Sequence, residues 1–107
     1  MQKYSVKKFK KGWFIGDFKP TLVKTKHFEI AIKKYKTGEE EPTHFHKVAT
    51  EFTVVTSGLF RINKADIAPG QIIKVNPGEK VKFSCLRSGL NVVIKIPSVK
   101  GDKYEGG

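Results

Sequence analysis

The residues best suited to chemistry lie in one short segment, where two histidines are followed by a glutamate. His44 and His46 are separated by one residue, and Glu51 follows five residues later. Side chains at positions i and i+2 of a β-strand point to the same face, so a strand would present both imidazoles together. We expect a hairpin around residues 47–50 to bring the Glu51 carboxylate opposite them. Two imidazoles and one carboxylate are a ligand set typical of Fe(II), Mn or Zn sites with open coordination positions.

Two glycines frame these three residues and complete a spaced set. Gly38 and Gly58 lie on either side, and the whole set reads Gly-x5-His-x-His-x4-Glu-x6-Gly. This segment resembles the first motif of the cupin superfamily at every defining position. The resemblance implies an all-β fold, the cupin-type double-stranded β-helix, which is a jelly-roll barrel of two sheets. It also implies that His44, His46 and Glu51 line the barrel mouth as ligands of a divalent metal, Fe, Mn or Zn.

The second cupin motif is present only in part. It normally reads Gly-x5-Pro-x-Gly-x2-His-x3-Asn, and the matching stretch here keeps Gly70 and Gly78. Asn76 stands where proline is usual, Cys85 where asparagine is usual, and Val81 where the fourth metal ligand is expected. Valine cannot coordinate a metal. Two interpretations therefore stay open, a three-ligand metal site or a metal-free pair of histidines hydrogen-bonded to the glutamate.

Alternation along the strands adds three residues to the candidate site. Thr53 follows Glu51 on the same face of its strand, and Phe83 follows Val81 in the same way. We expect Thr53, Val81 and Phe83 to line a ligand pocket beside the metal ligands. No residue is assigned a catalytic role, and the sequence leaves open whether the protein is an enzyme.

The elements that must position these residues are short strands. Apolar and β-branched runs recur along the chain, separated by turns rich in Gly, Pro, Asn and Ser. The clearest runs are residues 28–33, 52–56, 72–75 and 92–96. No long segment keeps the apolar repeat of an amphipathic helix, so the pattern predicts an all-β protein.

The length of 107 residues predicts a single cupin domain over residues 1–107. We divide it into an N-terminal strand region at 1–25, a core barrel at about 26–97 and a short polar tail at 98–107. The tail is expected to fray because it is polar and terminal.

The charge of the chain indicates the kind of partner. The net charge is +11, and residues 1–36 alone carry 11 lysines against Asp17 and Glu29. A basic surface attracts anions, so we expect a small anionic ligand. Nucleic-acid binding is not expected, since nearly all of the basic residues are lysines and base-edge readout favours arginine. No apolar run is long enough to span a bilayer, so no membrane partner is predicted.

Three functions remain open from the sequence. The first is a cupin that binds a divalent metal and a small anionic ligand, with the reaction unknown. The second is a metal-free cupin like the sugar-nucleotide isomerases, because the segment His44-Phe-His-Lys47 resembles the His-Ala-His-Lys segment of sugar ketoisomerases. The third is a non-catalytic module that binds or sequesters a small anionic ligand.

Assembly and location are inferred more indirectly. The resemblance to small cupins implies a homodimer, and the apolar run Trp13-Phe14-Ile15 would suit such a contact. The lone cysteine, Cys85, cannot form an internal disulfide, so we expect a cytoplasmic location.

Overall fold

Strands make up almost all of the regular structure in the computed structural model, which describes residues 1–106. About 48% of the chain is strand and 6% is helix, which confirms the all-β prediction. Gly107, the last residue of the predicted polar tail, lies outside the described residues. The helical part consists of single 3-10 turns at Val6–Lys8 and Lys10–Gly12. Within residues 1–106, no helix is long and apolar enough to cross a membrane.

The strands form two five-stranded sheets in which all pairs are antiparallel. In chain order they are β1 (Trp13–Ile15), β2 (Glu29–Tyr35), β3 (Glu40–Phe45), β4 (Thr50–Val55), β5 (Leu59–Ile62), β6 (Ala65–Ile67), β7 (Ile72–Val75), β8 (Val81–Arg87), β9 (Gly89–Ile96) and β10 (Tyr104–Glu105). The first sheet has the order β1-β2-β9-β4-β7, and the second has the order β10-β3-β8-β5-β6. Strands that follow each other in the chain often lie in different sheets, as in a jelly roll.

The turn after the two histidines crosses from one sheet to the other, so the predicted hairpin is wrong. β3 pairs with β8 and β10, whereas β4 pairs with β7 and β9. Glu51 in β4 therefore reaches the histidines across the interior, not across a ladder of backbone hydrogen bonds. A hairpin and a turn between sheets need the same side-chain alternation, and the sequence cannot distinguish them.

The apolar core lies between the sheets. It contains Val55, Phe60, Ile62, Ile67, Val75, Val81, Phe83 and Cys85, all of them buried. The rings of Phe60 and Phe83 stack with centroids 5.3 Å apart, and Tyr35 packs against both of them. This aromatic cluster joins the second sheet to β2 of the first sheet, which fixes the two layers against each other.

The first sheet carries apolar residues on its outer side as well. Ile32, Val92, Val54 and Ile72 stand directly opposite one another across four strands. We call the outer apolar face the set Ile30, Ile32, Phe52, Val54, Ile72, Val92 and Ile94. None of these side chains is fully buried, and Ile72 is 60% exposed. Their neighbours in sequence point inward, so the interior side of the same strands carries the residues between them.

Candidate functional site

Both sheets line an interior cavity with a volume of about 140 Å³. All six residues selected in the sequence lie on its wall: His44, His46, Glu51, Thr53, Val81 and Phe83. Their roles in binding stay predictions. The wall also carries further polar and aromatic groups, which are Lys11, Trp13, Lys33, Tyr35, Glu41, Asn91, Lys95 and Lys103.

The two histidines come from the end of β3 and are both buried, with their rings 5.5 Å apart. His44 Nδ1 is 3.0 Å from the carbonyl oxygen of Pro42. A carbonyl can only accept, so Nδ1 donates, and in the neutral tautomer Nε2 carries the lone pair. A hydrogen bond of this kind is what orients a metal-binding histidine. In His46, neither ring nitrogen has a hydrogen-bond partner among the residues described.

Glu51 faces His46 from the opposite sheet. Its Oε2 is 3.7 Å from His46 Nε2 and 4.0 Å from Lys95 Nζ. Burial raises the pKa of Glu51, although Lys95 and His44 oppose this. Burial lowers the pKa of His46 to about 4, and the positive charge of Lys95 adds to the effect. At neutral pH, His46 is therefore a neutral imidazole, the form that binds metals.

These donors suit a divalent metal in type and protonation, but their spacing is too wide for a closed site. Within residues 1–106, no three His, Cys, Asp or Glu side chains form a complete ligand group. Two ligands of one ion at about 2.1 Å lie roughly 3 Å apart, so His46 and Glu51 would have to approach slightly. Val81 stands directly opposite His44 in the ladder between β3 and β8, where a fourth ligand is expected.

Asp102 holds the turn that connects the two histidines to Glu51. Its carboxylate accepts hydrogen bonds from the N–H groups of Lys47 (2.8 Å), Val48 (3.1 Å) and Ala49 (2.8 Å). Burial would raise the pKa of Asp102, but these three donors hold it below its ordinary value. The sequence analysis missed this residue, because nothing in the sequence links it to a turn more than 50 residues away.

The end of the chain forms a strand that pairs with β3. The prediction that residues 98–107 fray is therefore wrong for the part described. β10 pairs with β3 in the register that places Tyr104 opposite Phe45. The two rings stack with centroids 5.5 Å apart. The described part of the predicted tail therefore completes one edge of the second sheet beside the histidines.

Two lysines and a tryptophan form the basic side of the cavity. Lys33 Nζ and Lys95 Nζ lie 5.1 and 5.0 Å from the centre of the Trp13 ring. A cation over an indole face is stabilised by the ring quadrupole. Burial lowers the pKa of Lys33, while Glu41 opposes the shift. Neither lysine was predicted from the sequence, although Lys95 stands between Ile94 and Ile96 and Lys33 follows Ile32.

Glu41 is engaged in contacts of its own. Tyr35 Oη donates a 2.6 Å hydrogen bond to Glu41 Oε2, and Lys103 Nζ lies 3.3 Å from Glu41 Oε1. Burial and the neighbouring Glu41 carboxylate raise the pKa of Tyr35. Tyr35 is therefore a neutral phenol, and its hydroxyl keeps the proton while donating the hydrogen bond to the carboxylate. The Glu41 carboxylate therefore contacts Tyr35 and Lys103 directly and also acts through its charge on Lys33.

Asn91 is, like His46, a buried polar group on the cavity wall without a hydrogen-bond partner among residues 1–106. It lies in β9 and is only 1% exposed. In the described chain, neither its amide nitrogen nor its amide oxygen has a hydrogen-bond partner. The sequence analysis missed it too. The sequence does contain a sign of it. Asn91 is the one polar residue in the apolar run Leu90-Asn-Val-Val-Ile94, which has the pattern of a buried strand.

Solved structures similar to this chain include cupins. An uncharacterized conserved protein with a double-stranded beta-helix domain from Klebsiella pneumoniae is 15% identical, with a TM-score of 0.73 over 98% of this chain and 91% of its own. An RmlC-like cupin from Shewanella frigidimarina is 18% identical, with a TM-score of 0.66 over 71% of each chain. A sugar phosphate isomerase from a cupin superfamily, from Silicibacter pomeroyi, is 17% identical, with a TM-score of 0.59 over 67% of this chain and 52% of its own.

These similarities show the fold, which is the cupin double-stranded β-helix that the first motif implies. No family model matches the sequence, and no curated protein matches it.

Proposed function

We propose that this cupin-fold protein binds a divalent metal through His44, His46 and Glu51, and a small anionic ligand in the same cavity. The observation that carries the proposal is His46, a buried imidazole with both nitrogens unpaired among residues 1–106, facing the Glu51 carboxylate, whose side chain is 14% exposed. Burying polar groups without partners is costly, so such an arrangement suits a site whose partners arrive with an ion or ligand. A bound Fe, Mn or Zn ion would supply a Lewis acid with open coordination positions.

The residues around the donors support an anionic ligand. Lys33 and Lys95 converge on Trp13 at the cavity, and Lys11 and Lys103 also line it. Only part of this charge is neutralised, because Lys103 pairs with Glu41 and Lys95 lies beside Glu51. The low dielectric of a half-buried cavity strengthens attraction for an anion. The lysines would therefore orient the ligand while the imidazoles and Glu51 hold the ion.

The size of the cavity favours a small ligand over a sugar nucleotide. A cavity of about 150 Å³ accommodates a molecule the size of benzene, and the volume here is about 140 Å³. A sugar nucleotide is several times larger. The alternative of a metal-free isomerase-like cupin is supported by one feature, an adjoining open groove of about 700 Å³ that shares Lys11, Lys33 and Lys103 with the cavity. A nucleotide would have to lie in that groove.

Metal-dependent stability tests the proposal. Protein stripped with a chelator and dialysed should show a melting temperature that rises with added Mn, Fe(II) or Zn, because an ion that binds only the native state stabilises it by mass action. Val81→His should enlarge the rise by adding a ligand opposite His44. His46→Ala should abolish it. His27→Ala is the matched control, since His27 is exposed and outside the cavity.

Two results would contradict the metal proposal. One is a melting temperature that responds equally to metal in wild type and His46→Ala, which would place the binding elsewhere. The other is elemental analysis that finds no metal in protein purified without chelator or a nickel column, together with no response to added metal. The second result would favour a metal-free module that binds or sequesters a small anion.

We also propose that the protein forms a homodimer through the outer apolar face. The support is the ladder of Ile32, Val92, Val54 and Ile72, four apolar side chains wide and open to solvent at Ile72. Apolar residues in such a continuous strip are typical of interfaces with a partner. A second copy of the same strip offers a complementary surface by two-fold symmetry.

A further inference from the structure

Asn91 places an unpaired amide on the wall of the cavity. Its side chain is 1% exposed, and neither amide atom finds a partner in residues 1–106. A buried amide that makes no hydrogen bond destabilises the fold, and apolar side chains would fit the same run of β9 without this cost. The amide offers one acceptor oxygen and a donor nitrogen, so it is suited to a group that both donates and accepts, as a hydroxyl does.

The neighbours of Asn91 define the rest of the ligand. Lys33 on β2 is directly opposite Asn91, and Val55 is opposite on β4. Directly opposed side chains in an antiparallel ladder lie about 5 Å apart at Cβ, so the Lys33 ammonium and the amide can contact the same small molecule. Lys95 extends toward the same indole ring as Lys33 from the same face of the sheet. The two ammonium groups can therefore bind one carboxylate.

We propose that the anionic ligand is a small hydroxycarboxylate. Its carboxylate lies between Lys33 and Lys95, and its hydroxyl donates to Oδ1 of Asn91 and accepts from Nδ2. The cavity volume of about 140 Å³ limits the molecule to roughly six to nine non-hydrogen atoms, since a similar volume holds benzene. The proposal rests on the proposed anionic ligand and does not require the metal.

The experiment compares two acids that differ only by the hydroxyl. Full-length protein, stripped of metal and dialysed, is titrated with lactate and with propionate by calorimetry and by fluorescence of Trp13, which is the one tryptophan of the sequence. Removing the metal matters because hydroxycarboxylates also chelate metals. We expect wild type to bind lactate about tenfold more tightly than propionate, as one or two added hydrogen bonds would give.

Three variants assign the effect to residues. Asn91→Leu should bind lactate and propionate equally, with propionate affinity kept. Lys33→Met should weaken both acids, whereas Lys34→Met should change neither, because Lys34 is exposed and does not line the cavity. Asn91→Leu should also melt at or above the temperature of the ligand-free wild type, since it removes an unpaired buried amide. If Asn91→Leu does not fold, Asn91→Val serves the same purpose with a strand-forming residue.

The outcomes separate this inference from the proposed function. Equal binding of the two acids by wild type, or a lactate preference that survives Asn91→Leu, would overturn the role of Asn91 while leaving an anion site. Failure of wild type to bind either acid, with or without added Mn, would overturn the anionic ligand itself. A fall in the melting temperature of both Asn91 variants without loss of the lactate preference would show that the amide is a structural group.

Discussion

The two faces of the first sheet differ in the opposite sense from most proteins. Its outer side carries the isoleucines, valines and phenylalanine of the outer apolar face, whereas its inner side carries Lys33, Glu51, Thr53, Asn91 and Lys95 beside the buried Ala31, Val55, Val75 and Val93. In a sheet with one solvated side, the polar residues are usually outside. A sequence does not place charges and an amide inward without compensation, because each costs free energy to bury. Under the proposed function, the polar part of the inner side binds the ligand and the outer side is covered by a second copy of the chain.

The residues on the inner side should depend on contacts from outside the sheet. The hydrogen bonds that Asp102 accepts from the turn before β4 are the first of these to test. Asp102→Ala leaves the N–H groups of Lys47, Val48 and Ala49 without their acceptor. Ala49 is buried, whereas Lys47 and Val48 are exposed and can be solvated. An unpaired buried donor costs about 1–3 kcal/mol, so we expect a loss of about 2 kcal/mol in the free energy of unfolding. Urea denaturation measures it. A loss under about 0.5 kcal/mol would mean that the turn holds its shape alone.

The same carboxylate gives this support a pH dependence. Because the pKa of Asp102 is lowered on folding, its contribution is fully present above the ordinary aspartate pKa and is lost as pH falls through the folded value. Asp102→Asn keeps one acceptor oxygen and should lose less stability than Asp102→Ala at neutral pH. The gap between wild type and Asp102→Asn should narrow in acid. A gap that stays constant down to strongly acidic pH would contradict the assignment.

A matched pair of valines compares the two faces directly. Val55 is 1% exposed on the inner side of β4, and Val54 next to it is half-buried on the outer side. Val55→Ala should cost about 2–3 kcal/mol through lost burial and a cavity, whereas Val54→Ala in the monomer should cost under about 1 kcal/mol. Chemical denaturation at low protein concentration tests both. Equal costs would mean that the outer face is as tightly packed as the core.

The smallest effect on stability and the largest on assembly should come from Ile72. Ile72→Lys places a charge at the β7 edge of the outer apolar face, at a side chain that is 60% exposed. The free energy of unfolding of the monomer should change by less than about 0.5 kcal/mol, as for other exposed positions. Light scattering should show a dimer for wild type and a monomer for Ile72→Lys. Wild type that stays monomeric at all practical concentrations would remove the proposed dimer.

Local patterns located four of the ten strands in residues 1–106, which are β2, β4, β7 and β9, and they placed six residues on the cavity wall. The alternation through Glu51 and Thr53, and through Val81 and Phe83, places these side chains inward, and the structure has them there. The alternation does not say which of the two sets of side chains faces the interior. In this protein the polar residues Lys33 and Asn91 lie on the inward side, where an apolar core would have a residue such as isoleucine. The alternation of side chains along a strand is a local property of the sequence. Which of the two alternating sets faces the interior depends on the packing of the whole fold.

Contacts between distant parts of the chain were beyond the sequence. Asp102 could not be connected to the turn at Lys47, and the crossing of β3 and β4 into different sheets could not be distinguished from a hairpin. Both depend on which strands become neighbours, and this is decided by packing of the whole barrel. The metal prediction is in a similar position: the donor types are local, but the distance between His46 and Glu51 depends on how closely the two sheets approach.

The hydrogen bonds from Asp102 to the turn also set the order in which the site can form during synthesis. The acceptor and its first donor are 55 residues apart, and the donor side is made first. While a nascent chain ends before Asp102, the three N–H groups have no carboxylate to bind, and His46 and Glu51 are held by a loose connection. Long-range contacts of this kind form late and slow folding. The proposed metal and ligand site is therefore complete only after this region has left the ribosome, and a chain cut before Asp102 keeps the motif without the acceptor of its turn.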